Sequence, residues 1–196
     1  MAYKINPKEM HRLDSPERRK ILPPEETLYK IGLIKNDIFI DIGCGIGYFS
    51  IPASKIVGPK GKVFALDTSS EMLEELNSKI IKNKIENIVP ILTKDYDFHI
   101  DSGIGSFSLM SNVLHEVDDK LFFLKETNRI LKTEGKLCII EWQKKETEKG
   151  PPIEERISES EVKELLEKTN FKLIKSYSIA ENFNVYISKK IELKKS

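Results

Sequence analysis

Cysteine is scarce in this chain of 196 residues, which contains only Cys44 and Cys138. Two cysteines cannot supply a disulfide framework, and neither has a neighbour at the spacing of a metal-ligand pair. The sequence therefore predicts no metal site. Free thiols in apolar segments are typical of a reducing compartment, which favours a cytoplasmic location.

Long apolar runs and an excess of one charge are also missing. No run approaches the length of a membrane span, and the polar start of the chain lacks the apolar core of a secretory signal. The 32 basic and 31 acidic residues give a net charge of +1, so no global field attracts nucleic acid. We expect one domain over residues 1–196, a monomer or homodimer, without a membrane or nucleic-acid partner.

Glycine, by contrast, is concentrated in one informative segment. A short apolar run predicted to be a strand leads to Asp41, and glycine then occupies every second position (Gly43, Gly45, Gly47). A helix is predicted to begin at Tyr48. Glycine is needed where φ is positive or where a ligand touches the main chain, and a helix N-terminus presents free N–H groups. A nicotinamide fingerprint requires G-x-G-x-x-G, and Tyr48 stands in its last position. The pattern thus predicts a ligand site and disfavours an NAD-dependent oxidoreductase.

The order of strand-like and helix-like runs predicts the fold class. From residue 35 onward the two kinds of run alternate, which indicates a parallel sheet covered on both faces. Two last strand-like runs, 171–179 and 182–190, have only a short turn between them and must pair antiparallel. We expect an α/β, Rossmann-like, seven-stranded sheet that is mostly parallel, with an antiparallel last strand. The other predicted strands are 37–42, 62–66, 87–92, 107–113 and 136–142.

Capping residues predict where several helices begin. Ser or Thr followed three residues later by Glu forms a capping box, and Asp alone also caps a helix. Gly135 is expected to end the helix that starts after Asp118. The predicted starts are a box at Thr68 and Glu71, a box at Ser158 and Glu161, an N-cap at Asp118, and a first-turn proline at Pro24.

The motif D-x-G-x-G-x-G at 41–47 resembles motif I of the class I S-adenosylmethionine-dependent methyltransferases. Further segments resemble the small-molecule branch that contains ubiquinone- and menaquinone-biosynthesis and arsenite methyltransferases: 11–20, 65–67, 111–117, 129–135 and 150–156. The resemblance implies the Rossmann-like methyltransferase fold and methyl transfer from S-adenosylmethionine to a small-molecule acceptor, with S-adenosylhomocysteine as product. Two cysteines are too few for arsenite capture, which disfavours arsenite as the acceptor. The chain also lacks an Asn-Pro-Pro-Tyr or Asp-Pro-Pro-Tyr sequence after the fourth strand, and this absence disfavours the amine of a nucleobase as the acceptor.

The resemblance also implies which residues bind the cofactor. Asp67 closes the second strand and is expected to accept hydrogen bonds from the ribose hydroxyls. Asp41 is expected to lie near the methionyl ammonium or to orient the glycine turn. Asp95 is expected at the adenine amino group with Tyr96 against the ring, although Asp97 fits the acid role in a second register. Met72 is expected either to flank the adenine or ribose or to pack in the core. The remaining expected contacts are Gly43, Cys44, Gly45, Gly47, Thr68 and the backbone of Asn112.

Three features are predicted to serve the acceptor. Residues 1–34 are expected to form a helical cap before a core over 35–196, and the polar segment 143–157 an active-site loop. His115 follows the fourth strand and is the candidate general base, with Glu116 either orienting its ring or facing solvent. The alternative function is a non-catalytic S-adenosylmethionine-binding regulatory protein.

Overall fold

The computed structural model of the chain describes residues 7–94, 96–147 and 149–192. Within these residues the chain forms two compact units, 7–99 and 100–192, which are described in turn. Within the described residues, no helix combines the length and apolar character needed to cross a bilayer.

The first unit combines helices with three parallel strands. Its central strand β2 (Lys62–Asp67) pairs with β1 (Ile38–Ile42) on one side and with β3 (Ile88–Leu92) on the other. The β1–β2 register aligns Ile42 with Leu66, so the glycine segment leaves the sheet beside Asp67. In chain order the elements are a 3₁₀ helix Pro7–Asp14, α1 Pro16–Ile21, α2 Pro24–Ile31, β1 Ile38–Ile42, α3 Ser50–Val57, β2 Lys62–Asp67, α4 Ser70–Lys82 and β3 Ile88–Leu92.

The second unit carries four strands: β4 (Gly105–Ser111), β5 (Leu131–Trp142), β6 (Phe171–Ile179) and β7 (Phe183–Lys190). Their order in the sheet is β4-β5-β7-β6. β4 and β5 are parallel, whereas β7 runs antiparallel to both β5 and β6. Together the strands make up a seven-stranded sheet with helices beside it, and this confirms the predicted fold class. The elements are β4 Gly105–Ser111, a 3₁₀ helix Leu114–Glu116, α5 Lys120–Ile130, β5 Leu131–Trp142, a 3₁₀ helix Ile153–Glu155, α6 Glu159–Lys168, β6 Phe171–Ile179 and β7 Phe183–Lys190.

Two predicted helix starts are wrong by one residue. The N-cap of α4 is Ser69, not Thr68, because the Asp67 carboxylate binds the Ser69 N–H and Ser69 Oγ accepts from the Met72 N–H. The N-cap of α5 is Asp119, whose carboxylate accepts from the Phe122 N–H. The predictions at Ser158, which accepts from the Glu161 N–H, and at Pro24, in the first turn of α2, are confirmed.

The predicted end of α5 at Gly135 is also wrong. The helix ends at Ile130, and β5 begins directly at Leu131. A Cβ at Gly135 would lie 2.8 Å from the Lys132 carbonyl oxygen and 3.1 Å from that of Gly105. Glycine is therefore required by close backbone approach inside β5 rather than by a helix C-cap.

Candidate functional site

All three glycines of the turn adopt backbone conformations that side chains disfavour. The φ angles of Gly43, Gly45 and Gly47 are 70°, 53° and 84°, in the left-handed region. At Gly47 a Cβ would also come within 2.5 Å of Leu76 Cδ1. The alternate spacing that the sequence shows is thus dictated by the path of the chain between β1 and α3.

The Asp67 carboxylate fixes this turn to the end of β2. Its Oδ2 accepts the backbone N–H of Gly45 at 2.7 Å, and its Oδ1 accepts the N–H of Ser69 at 2.9 Å. The N–H of Cys44 donates to the carbonyl of Leu66 at 2.9 Å and continues the β1–β2 pairing into the turn. The side chain expected to bind the ribose therefore lies at the glycine turn, with its orientation set by the main chain.

Asp41 is buried directly before the turn, with 2% of its surface exposed. Burial raises its pKa to about 7, and the Asp67 charge acts in the same direction. The Ser50 hydroxyl, which donates to Asp41 Oδ2 at 2.5 Å, and the charge of Arg18 oppose this rise. A cation brought beside Asp41 would favour its ionised form. The contact with Ser50 suits a turn-orienting role, and the ammonium role stays a prediction.

Residues 13–22 of the N-terminal segment contact Tyr48, which directly follows the glycine turn. The Arg18 guanidinium carbon lies 4.2 Å from the centre of the Tyr48 ring, and Arg18 also donates to the Leu13 carbonyl at 2.8 Å. The Tyr48 hydroxyl donates to the carbonyl of Leu22 at 2.7 Å. A Cβ at Gly45 would lie 3.2 Å from Leu13 Cδ1. Residues 13–22 therefore contact the turn, and the helical cap over residues 1–34 stays a prediction.

The other expected cofactor residues of this unit differ in exposure. Cys44 and Met72 are buried, each 5% exposed, and burial raises the pKa of the Cys44 thiol well above its usual value. Thr68 is exposed and Tyr96 half-buried. Asp95 lies outside the described residues. The roles of these five residues remain predictions.

A cavity of about 530 Å³ lies between the helical segment and α3. Its lining includes Tyr48, Ile51 and Gly47, the last glycine of the turn, but neither Asp41 nor Asp67. The cavity thus borders the glycine turn without including the acid that is expected to bind the ribose.

In the second unit, His115 is paired with a glutamate that the sequence analysis did not single out. His115 Nδ1 lies 2.6 Å from Glu141 Oε2, and the backbone N–H of His115 donates to Glu141 Oε1 at 3.3 Å. The two side chains are 4% and 2% exposed. Glu116, the predicted partner, lies farther away, with Oε1 3.9 Å from His115 Nε2.

The pKa of His115 is raised despite its burial. Burial lowers the pKa, but the hydrogen bond and charge of Glu141, with the charges of Glu116 and Glu155, outweigh it. The sequence did carry a signal for Glu141, because it is a carboxylate at the end of an apolar strand. Asp41 and Asp67 occupy the same kind of position in the first unit.

Asn112, directly after β4, is the second polar residue of this unit at a strand end. It adopts φ 58°, uncommon outside glycine, and its N–H donates to the Ile140 carbonyl at 2.7 Å. Within the described part of the chain, Asn112 Oδ1 and Ser111 Oγ are buried without a hydrogen-bond partner. A buried oxygen without a hydrogen-bond partner can accept a hydrogen bond from a ligand. The predicted cofactor contact of Asn112 stays a prediction.

The predicted active-site loop is organised around Arg156, a residue with no assigned role in the sequence analysis. The guanidinium donates to the carbonyls of four loop residues and to one hydroxyl: Pro151 at 2.9 Å, Gln143 at 2.9 Å, Lys145 at 2.7 Å, Lys149 at 3.2 Å and Thr147 Oγ1 at 2.6 Å. It also lies 5.3 Å from the centre of the Trp142 ring. One side chain thus sets the path of most of the loop.

The chain also resembles known proteins in sequence and in fold. A family model described as a methyltransferase domain matches residues 33–182. The chain belongs to this methyltransferase family. The expected class I S-adenosylmethionine-dependent methyltransferase family and its cofactor, S-adenosylmethionine, are thereby confirmed. Similarity to demethylmenaquinone methyltransferases supports the expected menaquinone-like branch.

One solved structure aligns over nearly the full length of the chain. It is an S-adenosylmethionine-dependent methyltransferase from Aquifex aeolicus, 31% identical, with a TM-score of 0.91, covering 96% of this chain and 100% of that one.

Curated relatives match over a shorter part. A demethylmenaquinone methyltransferase of Geobacillus sp. (strain WCH70) is 27% identical over 63% of this chain and 53% of its own length. The enzyme of the same name from Lactococcus lactis is 30% identical over 59% and 46%. The chain therefore spans about half the length of the curated relatives it matches.

Proposed function

We propose that this protein transfers a methyl group from S-adenosylmethionine to a small-molecule acceptor. The observation that carries the proposal is the glycine turn, in which the Gly45 N–H donates a hydrogen bond to Asp67. The chain that contains this turn belongs to the methyltransferase family. The arrangement suits a nucleoside joined to an amino acid, because a carboxylate lies at the turn and a second buried carboxylate, Asp41, lies beside it.

The proposed cofactor residues are those expected from the sequence. Asp67 binds the ribose, Asp41 faces the ammonium, and the turn approaches the cofactor with its main chain. When bound, S-adenosylmethionine supplies a methyl group on a positively charged sulfur that leaves as a neutral thioether. The further proposed contacts are Cys44, Thr68, Met72, Asp95, Tyr96 and Asn112.

The chain's own contribution to the chemistry is alignment and proton removal. Orienting two bound reactants can remove roughly 7–11 kcal/mol from a barrier. We assign His115 as the general base, which serves an acceptor whose reacting atom carries a proton. The names of the curated relatives make demethylmenaquinone the first acceptor to test.

The proposed organisation keeps the division expected from the sequence. Residues 1–34 form the cap, 35–196 the core, and 143–157 the active-site loop, in a monomer or homodimer that takes no nucleic acid.

Methyl transfer tests the proposal. The purified chain is incubated with S-adenosylmethionine labelled on the methyl group and with reduced demethylmenaquinone, a catechol, a thiol and a primary amine in separate reactions. We expect S-adenosylhomocysteine and a labelled organic product with at least one proton-bearing acceptor. Tight S-adenosylhomocysteine binding without transfer to any of the four would contradict the enzyme and support the non-catalytic binding protein.

A further inference from the structure

The carboxylate of Glu141 makes two hydrogen bonds to a single residue, His115. One joins Oε2 to the ring Nδ1 at 2.6 Å, and the other joins Oε1 to the backbone N–H at 3.3 Å. Ring and main chain of His115 are thus fixed by the same group. The β4–β5 pairing explains the contact: Ser111 aligns with Ile140, so the short helix after β4 begins next to Glu141.

We propose that Glu141 is the positioning residue of His115, which it holds through Nδ1 so that Nε2 takes the proton of the methyl acceptor. The inference deepens the proposed function and rests on it. An ionised carboxylate only accepts hydrogen bonds, so the Nδ1 that faces it carries a hydrogen. The neutral ring then has its lone pair on Nε2, the atom needed for a base.

The surroundings stabilise the cation that forms when Nε2 takes a proton. The carboxylates that act on the ring come from three elements: Glu141 from β5, Glu116 from its own 3₁₀ helix and Glu155 from the helix Ile153–Glu155. Because His115 and Glu141 are almost completely buried, their attraction is screened less than at a surface. The same partnership of carboxylate, imidazole and substrate proton operates in hydrolytic triads.

The proton transfer balances without a further reagent. The acceptor atom forms its bond to the methyl carbon, the electron pair of the broken sulfur–carbon bond stays on sulfur, and the proton of the acceptor moves to Nε2. Deprotonation of the imidazolium by solvent restores the base. An acceptor whose reacting atom carries no proton would gain nothing from this pair.

Nuclear magnetic resonance of the imidazole nitrogens tests the inference without an acceptor. The chain has three histidines, and His99, which is exposed, serves as an internal reference. In the wild type we expect His115 to carry its hydrogen on Nδ1 in the neutral state and to titrate above 6.5. Glu141→Gln should lower its pKa by about one unit or more, since a close opposite charge shifts a pKa by roughly one to three units.

Glu116→Gln is the matched control, because it removes an equal charge from the longer contact at 3.9 Å. We expect it to lower the His115 pKa by less than Glu141→Gln does. An equal or larger shift in Glu116→Gln, or a hydrogen on Nε2 in the neutral wild type, would overturn the inference. The wild-type result decides the matter even where Glu141→Gln fails to fold.

Calorimetry with S-adenosylhomocysteine separates this inference from the proposed function. If the wild type binds S-adenosylhomocysteine but its neutral ring carries the hydrogen on Nε2, the positioning role of Glu141 fails and the proposed function stands. If the wild type does not bind, the proposed function fails, whatever the state of His115.

Discussion

The backbone N–H of Gly45 donates to the carboxylate of Asp67 at 2.7 Å, across 22 residues of sequence. This bond joins the middle glycine of the turn to the end of the neighbouring strand. The two features that the sequence predicts for cofactor binding, the glycine motif and the acid at the end of β2, are therefore joined by a direct hydrogen bond.

Asp67→Ala should weaken S-adenosylhomocysteine binding by about ten-fold or more, because a hydrogen bond to a charged group contributes roughly 1.5–3 kcal/mol. The loss has two parts, the missing ribose acceptor and the released turn. Calorimetry measures it, with Glu86→Ala, an exposed acid of the same unit, as control. An affinity for Asp67→Ala equal to that of the control would remove Asp67 from the site.

Gly45→Ala and Gly103→Ala form a matched pair at positive φ. The angles are 53° and 72°, so each alanine costs on the order of 1–2 kcal/mol of stability. A Cβ at Gly45 meets Leu13 at 3.2 Å, whereas one at Gly103 meets nothing within 4 Å. Only Gly45→Ala should weaken S-adenosylhomocysteine binding. Equal affinities in the two variants would show that the backbone at Gly45 does not approach the cofactor.

The sheet and the glycine turn were predictable because their signals are local. The alternation of strand and helix runs predicts the parallel part, and the short turn before β7 predicts the antiparallel part. Helix starts at Thr68 and Asp118 were missed by one residue, since an adjacent serine and aspartate offered equally good caps. Only the hydrogen bond to Asp67 decides between Thr68 and Ser69.

The partner of His115 was not predictable in the same way. Glu141 lies 26 residues from His115 in sequence, and its contact depends on the β4–β5 register. Arg156 was not predictable for a related reason: four of its five partners are backbone carbonyls, which carry no sequence signal. The sequence marks Glu141 as an acid at a strand end, but its pairing with His115 and the contacts of Arg156 follow from the fold.

Asp41→Asn should flatten the pH dependence of stability between about pH 4 and 7. The pKa of Asp41 is raised from 3.8 to about 7 by burial, so the folded chain binds a proton there that the unfolded chain has lost. This contribution is complete below pH 3.8 and is lost as the pH rises through 7. Its full size is on the order of 4 kcal/mol.

Urea unfolding at several pH values measures this change. His115 adds a loss of the same sign at higher pH, as its pKa is also raised, so the difference between wild type and Asp41→Asn isolates Asp41. The exposed Asp101→Asn should keep the wild-type slope. A wild-type slope in Asp41→Asn would contradict the raised pKa.

Arg156→Lys should loosen the segment 143–156, because one ammonium cannot reproduce the planar set of donors that reaches five acceptors. Trp142 is the single tryptophan of the chain and contacts both Arg156 and Gly150, so its fluorescence reports the loop. We expect a red-shifted emission and faster tryptic cleavage within the loop. The exposed Lys163→Arg is the control, and an emission unchanged from it would mean that Arg156 does not hold the loop.

The proposed roles of the glycine turn, Asp67 and His115 all depend on the identity of the cofactor. Titration calorimetry of the wild-type chain with S-adenosylhomocysteine, and in parallel with NAD, tests it. We predict saturable binding of one S-adenosylhomocysteine per chain, a thermal stabilisation that grows with its concentration, and neither effect with NAD. Saturable binding of NAD, or no binding of S-adenosylhomocysteine, would contradict the account.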